Sequence, residues 1–219
     1  MTLNIKDKPK DGFERVVYAE EDKFNFYSVI AIHNTKRGPA LGGCRYFNYQ
    51  DFNKQEEDVL KLAEAMTYKN SLAELPFGGG KATIHSKINK KDAYSLFGEV
   101  LNKLNGTYIT AGDMGTVDED LRGFREYSDH VCNPIGSDSG LGTALGVYYS
   151  MLGCVEFKFG QDSLVNKNIF IKGYGKTGSR IASLCKRDGA NIEISDLEHK
   201  KDLIERDGYK FCSQLQDTS

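Results

Sequence analysis

The chain has 219 residues, 39 % of them hydrophobic and 27 % charged, with a net charge of −2. This is a globular composition, it offers no basic surface for nucleic acid or an anionic membrane, and no apolar run is long enough to cross a bilayer. The polar N-terminus MTLNIKDKPKDGFE lacks the apolar core of a signal peptide. Cys44, Cys132, Cys154, Cys185 and Cys212 are odd in number, scattered and without zinc or redox spacing. They read as reduced thiols of a cytoplasmic protein.

In chain order, residues up to about Asp11 read as a loose terminus. Arg15 to Ala19 and Phe24 to His33 read as strands, and Asn34 to Gly38 as a turn. Gly42 and Gly43 put flexible backbone before Arg45. Asn53 and Glu56 have the spacing of a helix N-cap and its reciprocal partner. Pro76 stops that helix. After the glycines 78 to 80, Ala82 to His85 is a short strand. Asp92 opens a helix with an apolar stripe of Ala93, Leu96, Phe97, Val100, Leu101 and Leu104, closed by Asn105-Gly106. Tyr108 to Ala111 is a strand that delivers Gly112-Asp113, and Asp118 has the chemistry to cap a third helix. The glycine- and serine-rich stretch from Cys132 to Gly142 is the expected domain boundary. Thr143 to about Glu156 is a helix, Asn168 to Lys172 and Asn191 to Ser195 are strands, and a helix with Ile181, Ala182, Leu184 and Cys185 inward lies between them. A helix near Lys200 to Arg206 and a short strand from Tyr209 to Cys212 follow.

Two stretches carry chemistry. In MTYKNSLAELPFGGGK (Met66 to Lys81), Lys69 shares a helical stripe with Val59, Leu62, Met66 and Ala73, which points it at the core side. An ammonium there is costly unless something anionic meets it. Gly78, Gly79 and Gly80 let backbone approach a ligand and present Lys81 beside it. The bland alternative is a snorkelling lysine and a surface loop. A lysine acts as a base when its pKa falls toward neutrality, which burial and a neighbouring Lys69 would promote.

The second stretch is Gly173-Tyr174-Gly175-Lys176-Thr177-Gly178. It follows a strand and opens a helix, and Asp196 ends the next strand 18 positions after Gly178. That is the arrangement of a dinucleotide-binding unit. Gly173 permits the turn, Gly175 admits the pyrophosphate, Gly178 lets helix and strand pack, and the helix N-terminus offers free N–H groups. Asp196 accepts from ribose hydroxyls and repels a 2′-phosphate, which favours NAD. His199, Lys200 and Lys201 just beyond it weaken that preference. The bland alternative is a glycine-rich turn in an unrelated α/β protein.

MTYKNSLAELPFGGGK, preceded by GPALGGCR (Gly38 to Arg45) and followed by TAGDMGT (Thr110 to Thr116), resembles the glutamate, leucine, phenylalanine and valine dehydrogenase family, its leucine branch most. The resemblance implies an α/β substrate and oligomerisation domain over residues 1–138 and the first half of a Rossmann NAD-binding domain over 139–219. It implies that Lys81 activates the water attacking the imino carbon and that Asp113 exchanges protons with the amino group. It implies that Lys69 holds the substrate α-carboxylate, that Gly42 and Gly43 line the pocket, and that Thr143 lies near the nicotinamide. Asp113 and Thr143 have the alternative of capping a turn or helix. Where glutamate dehydrogenases carry a lysine, this chain has Leu41. A substrate side-chain carboxylate would be buried unpaired there, whereas an apolar side chain gains from contact. The implied reaction is NAD-dependent oxidative deamination of leucine, valine or isoleucine, with phenylalanine second, by a homo-oligomer. The alternatives are a non-catalytic assembly subunit or a glutamate- or phenylalanine-type enzyme. Relatives of the leucine type carry an acidic residue where Gly112 sits and a proline-containing turn near Asp138-Ser139-Gly140. A doubly wound domain needs roughly six strands. The sequence after Thr143 supplies two clear strands and a short third, so the remaining half is expected to be missing or supplied by another chain.

Overall fold

The computed structural model describes residues 2–132 and 139–213. It divides into two compact units, Met1–Ile135 and Gly136–Ser219. The expected boundary, with Pro134, Gly136, Ser137 and Asp138, lies outside the described residues. No described helix is long and apolar enough to cross a membrane.

The first unit runs β1 (Asn4–Asp7), β2 (Arg15–Glu21), β3 (Phe26–Asn34), β4 (Ala40–Phe47), α1 (Phe52–Leu72), β5 (Gly78–His85), α2 (Lys90–Lys103), β6 (Tyr108–Gly112) and α3 (Asp118–Arg125). Its strands form one mixed sheet in the order β1-β2-β3-β5-β4-β6. β1, β2, β3 and β5 pair antiparallel in succession, while β4 runs parallel to β5 and β6. Because the sheet is covered on both faces, alternate residues of one strand feed two cores. Val17 and Ala19 join Ile30, Ala82, Ile84 and the α2 stripe on one face. Val16 and Tyr18 join Val29, Ala31 and the α1 residues Val59 and Ala63 on the other.

Four expectations change. The N-terminus is ordered: β1 pairs with β2, and Asn4 Nδ2 donates to Glu20 Oε1 at 2.7 Å. The cap of α1 is Asp51, whose carboxylate accepts from Lys54 N–H at 2.9 Å, not Asn53. The caps of α2 and α3 are Asn89 and Val117, so Asp92 and Asp118 lie inside the first turns of their helices instead of starting or capping them. α1 ends before Pro76, with Glu74 in a left-handed conformation (φ 54) and Leu75 N–H returning to Asn70 O at 3.0 Å. The glycines are not loops: Gly42 and Gly43 lie within β4, and Gly78, Gly79 and Gly80 begin β5.

They are strand residues because their neighbours come too close for a side chain. A Cβ on Gly79 would stand 2.1 Å from the Thr67 backbone nitrogen of α1, and one on Gly42 would stand 1.7 Å from Gly80 O. Glycine at 79 lets α1 lie low over β5, and glycine at 42 lets β4 close on β5.

The second unit runs α4 (Ser139–Phe159), β7 (Asn168–Lys172), α5 (Gly178–Arg187), β8 (Asn191–Ser195), α6 (Lys201–Arg206) and β9 (Lys210–Phe211). Its three strands are parallel in the order β7-β8-β9. Ile171, Ala182, Ile194 and Ile204 form its core.

Candidate active site

The sheet register places the chemistry of the first unit. Leu41 pairs with Gly79 and Arg45 with Thr83, so Leu41, Gly43 and Arg45 share with Lys81 the sheet face that α1 covers. Asp113 follows β6 directly, next to Gly43. A Cβ at Gly43 would stand 2.8 Å from the Asp113 Cβ, so this glycine lets the carboxylate in. Gly42 points the other way, and its carbonyl accepts from the Tyr108 hydroxyl at 2.6 Å. Gly42 also packs closely on β5, where a Cβ would stand 1.7 Å from Gly80 O.

Lys81 is 5 % exposed, and its Nζ lies 3.2 Å from Asp113 Oδ1. Arg45 Nε donates to the other oxygen, Oδ2, at 2.9 Å. Asp113 therefore stands between two cations. Thr116 Oγ1 accepts from the Asp113 N–H at 2.8 Å, which fixes the backbone beneath the carboxylate. Burial lowers the Lys81 pKa below the usual lysine range, and Arg45 adds to this while Asp113 opposes it. Burial raises the Asp113 pKa, but Lys81 and Arg45 outweigh that and hold it below the usual carboxylate range. Burial pushes the Cys44 thiol up, so this neighbour stays neutral. The arrangement is a buried lysine whose proton is held less tightly than that of an exposed lysine, beside an ionised carboxylate.

Lys69 is not where its stripe implies. It is exposed near the end of α1, and its ammonium has no anionic partner among the described residues. The buried face of α1 is instead Gln55, Val59, Ala63 and Asn70. Asn70 Nδ2 donates to Gly78 O at 2.6 Å and Leu41 O at 3.3 Å, which pins the starts of β4 and β5. The groups that bear on Lys81 are thus Asp113, Arg45 and Cys44, and not Lys69. Leu41 is half-buried.

The other expected residues all belong to the second unit. Thr143 is the fifth residue of α4 and is exposed. Gly173 (φ 102) turns the chain out of β7, and Gly178 opens α5, where a Cβ would stand 2.0 Å from Gly173 O. Gly175 has nothing within 4 Å of its Cβ position. The β7–α5–β8 unit therefore has a tight turn at Gly173, open space at Gly175 and a close contact at Gly178, the order a pyrophosphate cradle requires. Asp196 ends β8 with Oδ2 accepting from Tyr174 N–H at 2.5 Å and Lys200 Nζ at 3.0 Å, and Oδ1 from Leu197 N–H at 2.7 Å. Burial raises its pKa, and these bonds outweigh that to bring it below the usual range. A carboxylate has about four acceptor positions, so it keeps capacity for a ribose hydroxyl.

Arg45 and Asp58 were not among the expected site residues. Arg45 stands inside GPALGGCR, so the motif held the signal. Asp58 lies on α1 and reaches the site only through the fold: Arg45 Nη1 donates to its Oδ2 at 2.8 Å.

Residues 14–129 match the model of the Glu/Leu/Phe/Val dehydrogenase dimerisation domain. A phenylalanine dehydrogenase of Thermoactinomyces intermedius is 38 % identical over 216 residues, 95 % of this chain and 59 % of the relative. A leucine dehydrogenase of Bacillus subtilis is 37 % identical over 221 residues, 97 % of this chain and 60 % of the relative. Among solved structures, an L-tryptophan dehydrogenase from Nostoc punctiforme superposes with a TM-score of 0.66 at 26 % identity, covering 92 % of this chain and 59 % of that one. The chain thus spans about 60 % of the length of the curated relatives it matches. The two strands that bring Lys81 and Arg45 to Asp113 lie within the matched region, and the chain belongs to the Glu/Leu/Phe/Val dehydrogenase family.

Proposed function

We propose that this chain serves NAD-dependent oxidative deamination of an apolar L-amino acid to its 2-oxo acid and ammonia, and the reverse reaction. The observation that carries the reading is the buried Lys81 on the Asp113 carboxylate, 3.2 Å away, within the family's motifs. Lys81 is the base that takes a proton from the attacking water. Asp113 exchanges a proton with the substrate amino group. Lys69, an exposed and unpaired ammonium, is suited to the substrate α-carboxylate. Leu41, on the same sheet face as Lys81, meets an apolar side chain. Similarity to both leucine and phenylalanine dehydrogenases supports a class that spans branched aliphatic and aromatic side chains.

The turn at Gly173, Gly175 and Gly178, with Asp196, fits the pyrophosphate and adenosine ribose of NAD, and Thr143 is assigned to the nicotinamide side. NAD supplies the hydride acceptor when bound. The family's dimerisation domain supports self-association into a homo-oligomer, and five free cysteines support a reducing cytoplasm.

The test is turnover with NAD and a panel of leucine, valine, isoleucine, phenylalanine and glutamate. Apolar substrates are expected to lead. A preference for glutamate overturns the substrate class. Where turnover is measured, Lys81→Ala lowers kcat by about 10² to 10⁴, roughly 3 to 5 kcal/mol of barrier; a loss below about tenfold removes Lys81 from the role of base. Leu41→Lys moves the ratio of kcat/KM for glutamate over leucine upward, because it supplies a counter-charge. An unchanged ratio means that Leu41 does not face the substrate side chain.

A further inference from the structure

We infer that Arg45, held by Asp58, is a positioning residue: it fixes Asp113 with one oxygen turned to Lys81 and keeps that carboxylate from locking Lys81 into a simple ion pair. The inference rests on the reading of Lys81 as a base and adds two residues that this reading does not use.

The geometry is a tether across three elements. Arg45 leaves β4 on the face that α1 covers. Its Nε bonds Asp113 Oδ2 at 2.9 Å, after β6. Its Nη1 bonds Asp58 Oδ2 at 2.8 Å and Oδ1 at 3.1 Å, on α1. The Tyr49 hydroxyl donates to Asp58 Oδ2 at 2.7 Å, so the anchor is itself anchored. A planar guanidinium reaches two anions with separate nitrogens in fixed directions, which an ammonium does not. The side chains of Arg45, Asp113 and Asp58 are 18 %, 22 % and 28 % exposed, so solvent screens them only in part.

The charges then explain the arrangement. Asp113 alone would hold the Lys81 proton, because an opposite charge favours the ionised form. With Arg45 on its second oxygen, Asp113 serves two cations, and the guanidinium adds repulsion toward the Lys81 ammonium. Asp58 balances Arg45 from the far side. From β3 the partner of Lys81 is Ala31, which has no charge. From β4 come Arg45 and the neutral Cys44, and from the end of β6 comes Asp113.

The experiment is competitive acetylation of the 219-residue chain with acetic anhydride across pH, read by peptide mass spectrometry. The reactivity of Lys81 is scaled to its own plateau, so that poor access cancels. In the unsubstituted chain the Lys81 midpoint is expected below that of the exposed lysines. In Arg45→Gln the midpoint moves up, and scaled reactivity at the original midpoint falls about fivefold, the loss that a one-unit rise produces. Arg45→Lys keeps the charge without the fork, so its midpoint moves up by less. Thermal unfolding of each variant checks the fold, and if the glutamine variant does not fold, the lysine variant decides by the same criterion. A Lys81 midpoint equal to that of exposed lysines in the unsubstituted chain overturns the reading of Lys81 as a base. A low midpoint that stays in place in a folded Arg45 variant overturns the role of Arg45 alone.

Discussion

The glycines of the sheet and the glycines of the turn look alike in sequence and do opposite work. In the first unit, a Cβ would meet backbone at 1.7 Å on Gly42, 1.9 Å on Gly78, 2.1 Å on Gly79 and 2.5 Å on Gly43. In the second, Gly173 and Gly175 have nothing within 4 Å of that position. The first group removes side chains so that the protein closes on itself. At Gly79 that closeness lets α1 cover β5, and at Gly42, Gly78 and Gly43 it lets neighbouring strands and their connections approach. The second group leaves room for an atom that is not the protein's own. Gly178 stands in the turn but belongs with the sheet glycines, since its Cβ would be 2.0 Å from Gly173 O.

The largest expected effect tests the first group. Gly79→Ala drives a methyl into the backbone of α1 at Thr67, which cannot rotate away as a side chain would. Over-packing against backbone should cost more than about 3 kcal/mol, read as a lower midpoint in urea denaturation. A loss under about 1 kcal/mol would show that α1 lifts easily and that the glycine is not required. The second group predicts a different pattern. Gly175→Ala should leave stability within about 0.5 kcal/mol yet weaken ADP-ribose binding by about tenfold or more, measured by calorimetry. Equal binding by the variant would mean that the open space at Gly175 is not where the pyrophosphate lies.

How much of this was legible in the sequence follows from what each feature depends on. The strands β7 and β8 have the expected bounds, and every residue of the expected α2 stripe is buried, because both rest on local periodicity. The α1 stripe misled. Helical spacing selected Val59, Leu62, Met66 and Lys69, of which Val59 is buried, while the rest of the buried face is Gln55, Ala63 and Asn70. Those polar residues serve non-local needs: Gln55 Nε2 donates to Thr83 Oγ1 at 3.1 Å, and Asn70 bonds the carbonyls of Gly78 and Leu41. The glycines of β4 and β5 read as loops because their reason is the position of a neighbouring strand or helix, which no local window contains. Lys81 and Asp113 were named from motifs. Asp58 was not, because its only tie to the site is an arginine on another element.

The smallest expected effect concerns a position where glycine is absent and the backbone calls for it. Glu74 follows α1 with φ 54, and Glu74 N–H and Leu75 N–H return to Ser71 O and Asn70 O, both at 3.0 Å. This pattern is a left-handed helix stop, where glycine is usual because a Cβ crowds the following carbonyl. The Glu74 side chain is exposed and has no hydrogen bond or ion pair among the described residues, so replacing it removes strain without removing a contact. Against this, glycine gives the unfolded chain more freedom to lose, which offsets part of the gain. Glu74→Gly should therefore stabilise the first unit by a net of about 0.5 to 1 kcal/mol, seen as a higher urea midpoint with an unchanged slope. It should also leave ADP-ribose binding alone, since Glu74 lies outside the unit that holds the glycine turn. A destabilised Glu74→Gly would mean that the unfolded-state cost exceeds the strain, and that α1 is stopped by its packing on β5 rather than by its cap.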